Sequence, residues 1–137
     1  GATLDASIGF FSLFDENDDF NQTSFKEAIL RDTADTDKLT IILNFPNNPT
    51  GYSLLSKDVE GIVSTLKDVA DSGKNLCVIC DDAYFGLFFE EEVLKESVFG
   101  YIANSHERIL AVKIDGATKE DYVWGLRCGF LTFFNFS

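Results

Sequence analysis

The sequence predicts an α/β fold, a mostly parallel sheet with helices on both faces, and three observations carry that expectation. Short apolar runs alternate with segments of helical period along the whole chain. The runs are nearly continuous in apolar residues, the mark of strands covered on both sides. Each of the central runs also ends in a sharp break of Pro, Gly, Asn or Asp.

Taken in order, IGFFSLF (8–14) reads as a first strand and DENDD (15–19) as a polar turn. NQTSFKEAILRDTADT (21–36) is helical, with Asn21 or Thr23 as candidate cap and Phe25, Ala28 and Ile29 as its apolar stripe. KLTIILNF (38–45) is a buried strand, and PNNPTG (46–51) breaks it. SKDVEGIVSTLKDVADSGK (56–74) is the clearest helix. Ser56 is its expected cap, Val59, Ile62, Val63, Leu66 and Val69 or Ala70 form one face, and Gly73 stops it. NLCVICDD (75–82) is a strand, VLKESVFGYIANSH (93–106) a helix, RILAVKIDG (108–116) a third buried strand and LRCGFLTFF (126–134) a fourth run. Strand, helix and strand at this spacing imply crossovers between parallel neighbours, with the ligand site beyond the carboxyl ends of the strands.

Composition narrows the function. With 137 residues, 45% of them hydrophobic and 14% aromatic, the chain has the length of one domain and enough apolar material for a core. No linker, repeat or low-complexity segment marks an internal boundary. A net charge of −12 repels phosphate backbones, and the basic residues form no stripe, so nucleic acid is not an expected partner. No run approaches the roughly 18 apolar residues of a membrane span, and the start lacks the basic region of a signal peptide, so a soluble, cytoplasmic chain is expected. The cysteines, Cys77, Cys80 and Cys128, are odd in number. The Cys77/Cys80 pair is expected to be two core thiols rather than a metal or redox motif, since residues three apart on a strand face opposite ways. The carboxylates have no His or Cys partners at ligand spacing, so no metal is expected. His106, the single histidine, reads as a solvated helix cap, and Glu90, Glu91 and Glu92 as a solvated face. Tyr122 and Trp124 either approach a substrate or pack beside their loop.

Three separated segments converge on the carboxyl edge: 44–51, 81–84 and 116–129. Alone, NNPTG is a turn, Asp81 a strand-ending carboxylate and Lys119 one more surface charge. Together, Asn48-Pro49-Thr50-Gly51, then Asp81-Asp82-Ala83-Tyr84, then Thr118-Lys119 with Arg127-Cys128-Gly129 resemble the class I/II aminotransferases, which are fold type I pyridoxal-phosphate (PLP) enzymes. The resemblance extends over nearly the whole chain, and the order and strand-end placement of the motifs make it specific. It implies a PLP-dependent transferase large domain, with residues 1–137 an internal piece truncated at both ends.

On that resemblance Lys119 is the Schiff-base lysine, its amine condensing with the cofactor aldehyde with loss of water and later shuttling a proton. Asp81 pairs with the pyridine nitrogen, with Asp82 as the alternative; Asn48 and Tyr84 bond the ring's phenolic oxygen; Arg127 clamps the phosphate, assisted by Thr118. Catalysis thus rests on Lys119, Asp81 and Tyr84. One departure stands out: Gly116 occupies the position where the family commonly has a serine that binds phosphate. Glu120 and Asp121 beside Lys119 favour its protonated form. The implied reaction moves an amino group between an amino acid and a 2-oxo acid in a homodimeric parent. The same cofactor residues would also serve a lyase, decarboxylase or acyl transferase. Without the family's upstream phosphate loop and its downstream arginine for the substrate carboxylate, the segment alone is expected to be inactive or a non-catalytic α/β fragment, with PLP occupancy and oligomeric state open.

Overall fold

The computed structural model describes residues 6–47, 50–81, 97–116 and 129–134. Four strands form one sheet in the order β1-β2-β3-β4. These are β1 (Lys38–Asn44), β2 (Asn75–Asp81), β3 (Ile109–Gly116) and β4 (Gly129–Phe134). The first three are parallel and β4 runs antiparallel to β3, so the sheet is mostly parallel as expected. The helices are α1 (Gln22–Asp32), α2 (Ser56–Asp71) and the short α3 (Val98–Ile102).

Alternation along the strands divides the sheet into two faces. Ile41 and Leu43 of β1, Leu76, Val78 and Cys80 of β2, and Ile109 and Ala111 of β3 join one cluster. Phe25 and Ile29 of α1, Val59, Ile62, Leu66, Val69 and Ala70 of α2, and Val98 and Ile102 of α3 join it, with Phe20, Phe45 and Leu54 from the connections. The apolar stripes expected for α1 and α2 are therefore the ones that pack. On the other face Val112 is buried, but Ile42, Leu131 and Phe133 are 66%, 61% and 63% exposed. The expected double coverage of β1 is thus met on one side among the described residues. Three apolar residues in succession, Ile41, Ile42 and Leu43, cannot by themselves report which side is covered.

Three local expectations are corrected. Residues 8–14 form no strand; only an isolated antiparallel bridge joins Phe14 to Phe20. The backbone of this segment finds partners outside any ladder. Ser12 N–H donates to Ser24 Oγ at 2.9 Å, and Asn21 N–H to the Leu13 carbonyl at 2.9 Å. Phe11 packs edge-on against Phe20 and Phe25, which ties the segment to α1. Second, Leu55 rather than Ser56 is the N-cap of α2. A leucine side chain has no acceptor, so the Asp58 carboxylate does the capping by accepting from Leu55 N–H at 2.9 Å. Third, α3 stops at Ile102, short of the expected His106, as Asn104 adopts φ 66°. The other caps agree: the Asn21 side chain accepts from Ser24 N–H, and Gly73 ends α2 at φ 96°, where a Cβ would be strained.

His106 is not solvated: its side chain is 16% exposed. Nδ1 accepts from Arg108 N–H at 3.0 Å, so the ring proton lies on Nε2, which donates to Asp71 Oδ1 at 2.9 Å. It tethers the end of α2 to the start of β3. Cys80 is buried in the core while Cys77 lies on the opposite face, where burial pushes its thiol pKa up. Cys128 lies outside the described residues.

Candidate functional site

The carboxyl ends of the parallel strands are level. Asn44 pairs with Asp81 across β1 and β2, and Asp81 pairs with Ile114 across β2 and β3. Because side chains alternate and Leu43 and Cys80 point into the core, Asn44 and Asp81 share the opposite face at the last position of their strands. Asp81 is half-buried there. β3 runs on to Gly116, which pairs with Gly129 of β4.

After Asn44 the chain passes a cis Phe45-Pro46 bond and enters a turn closed across residues 47–52. Gly51 N–H donates to the Asn47 carbonyl at 2.7 Å, and Asn47 N–H to the Tyr52 carbonyl at 2.8 Å. Thr50 Oγ1 donates to Asn47 Oδ1 at 2.9 Å and accepts from Tyr52 N–H at 3.2 Å. Gly51 sits at φ 72°, the left-handed region where glycine carries no Cβ penalty. Thr50 and Gly51 of the motif therefore build the turn.

Tyr52 fixes this turn to the rest of the fold. Its ring stands edge-on to Phe14 at 5.1 Å and to Phe45 at 6.4 Å. Its hydroxyl donates to Asp58 Oδ2 at 3.2 Å. Asp58 is only 3% exposed, and its backbone carbonyl accepts from Gln22 Nε2 of α1 at 2.7 Å. Burial foremost, with the Asp58 charge and hydrogen bond behind it, pushes the Tyr52 hydroxyl up to about 12.

Of the residues singled out from sequence, Asp81, Thr50, Gly51 and Gly116 are placed at this edge, together with Asn44. Asn48, Tyr84, Thr118, Lys119 and Arg127 lie outside the described residues, as do Asp82, Glu120, Asp121 and the Glu90, Glu91, Glu92 cluster. The segments bearing them leave from Asp81 and Gly116, so two of the three motif-bearing segments start at adjacent strand ends. Tyr52, Asp58 and Gln22 went unrecognised in the sequence; an acid in the first turn of a helix was the available signal. Among the described residues no group of His, Cys, Asp or Glu could hold a metal, and no helix is long and apolar enough to cross a membrane.

The arrangement suits a planar cationic ring nitrogen: an acceptor carboxylate at a strand end, raised off the core face beside an amide.

A family model described as aminotransferase class I and II matches residues 7–135. The crystal structure of an aminotransferase from Anaerococcus prevotii superposes with a TM-score of 0.81 and 29% identity, over 93% of this chain and 31% of that one. An Escherichia coli aminotransferase superposes with a TM-score of 0.67 over 90% of this chain and 28% of its own; at 21% identity it speaks for the fold alone. A probable N-acetyl-LL-diaminopimelate aminotransferase of Bacillus subtilis is 26% identical over 103 residues, 75% of this chain and 23% of that protein. The chain thus spans less than a third of the length of these relatives.

Proposed function

This chain belongs to the class I and II aminotransferase family, and from that premise we propose that the protein carrying it is a PLP-dependent transferase that moves an amino group between an amino acid and a 2-oxo acid. The observation that carries the reading is the levelled strand edge, where Asn44 and Asp81 share one face beside the closed 47–52 turn. Pyridoxal phosphate, when bound, supplies an electron sink for a carbanion at the substrate α-carbon. The protein's residues supply the rest. The Asp81 carboxylate accepts a hydrogen bond from the ring nitrogen and holds its proton there. Asn48 and Tyr84 donate to the phenolic oxygen. Arg127 offers a planar, two-pronged donor to the phosphate, and Thr118 adds a hydroxyl. Lys119 would hold the cofactor through Nζ and would serve as the base for the proton on the substrate α-carbon.

The whole protein works as a homodimer in the cytoplasm, a reading supported by the odd number of cysteines and by the family. Sedimentation of the whole protein as a monomer at micromolar concentration would contradict the dimer.

The test of the activity is a panel of amino acids offered to the whole protein with a 2-oxo acid acceptor. Keto-acid formation that depends on the acceptor, with exchange of the α-proton, supports transamination. Decarboxylation or elimination without amino transfer would assign the same residues to another reaction, and no keto acid from any amino acid would overturn the proposal.

A further inference from the structure

We draw no further inference here: the strongest candidate, the groove between residues 9–11, α1 and the outer edge of β1, carries nothing because no feature of the structure shows what covers it.

Discussion

The two ends of the same three parallel strands are built differently. At their amino ends the connections 72–74 and 103–108 are short and satisfy themselves. Asn75 N–H donates to the Asp37 carbonyl and Leu76 N–H to the Arg108 carbonyl, both at 2.8 Å. Lys74 Nζ donates to the Thr36 carbonyl at 3.0 Å, and the His106 tether closes α2 onto β3. At their carboxyl ends the longer segments carry an amide, a carboxylate, a lysine and an arginine, and the segment after β1 is tied by the Tyr52 phenol to the buried Asp58. One end of the sheet is made to hold together, and the other is the one we propose holds the cofactor. This is the division expected of an open parallel sheet, where crossovers return the chain to the amino ends and leave the carboxyl ends for ligands.

The largest effect expected falls at the carboxyl edge. Lys119→Ala in the whole protein lowers keto-acid formation by roughly 10⁴-fold, the upper range for a residue that moves a proton in the transition state. Its melting temperature stays close to wild type, and a collapse of the fold instead would erase the distinction between the two ends. Next comes the core beneath both. Leu66→Ala, 1% exposed on α2, costs about 2–5 kcal/mol in denaturant unfolding. A loss under about 1 kcal/mol would mean that the helices do not depend on this face of the sheet.

Tyr52 yields a pH signature. An unperturbed tyrosine titrates near 10 and Tyr52 is pushed up to about 12, so the folded state holds this proton more tightly than the unfolded chain. The stabilisation is fully present below pH 10 and is lost as pH rises toward 12. The stability difference between wild type and Tyr52→Phe is therefore expected to be constant up to pH 10 and to shrink above it. A difference independent of pH would remove the phenol–carboxylate bond from the account.

At the amino ends single changes are expected to matter little: His106→Ala costs about 1 kcal/mol or less and leaves activity unchanged. A large loss of turnover there would blur the contrast. Gly61→Ala is the smallest effect expected. Alanine gains up to about 1 kcal/mol of helix propensity, but its Cβ displaces the Gln22 carboxamide from the Asp58 carbonyl, so unfolding free energy changes little.

How much of this was legible follows the same physics. The central strands and α2 announce themselves through period, length and punctuation, signals local to each segment. The direction of β4 was not legible, because it depends on the path through 117–128. Residues 8–14 read as a strand by apolar content, yet a strand exists only if a ladder accepts its backbone, and α1 and Asn21 take those bonds instead. The place of Asp81 at a strand end was legible, because the apolar run NLCVIC stops there. The Tyr52 and Asp58 pair was not: a phenol and an acid six residues apart meet only because the 47–52 turn folds back, and no periodicity records that.

The central claim, that the carboxyl edge is a cofactor site closed by Lys119, is tested most directly by chemistry on the protein itself. Pyridoxal phosphate is added, the adduct is fixed with borohydride, and the modified residue is located by mass spectrometry. The account predicts stoichiometric label on Lys119, abolished by Lys119→Ala and weakened by Asp81→Ala. Label spread over several lysines, or none, would contradict it.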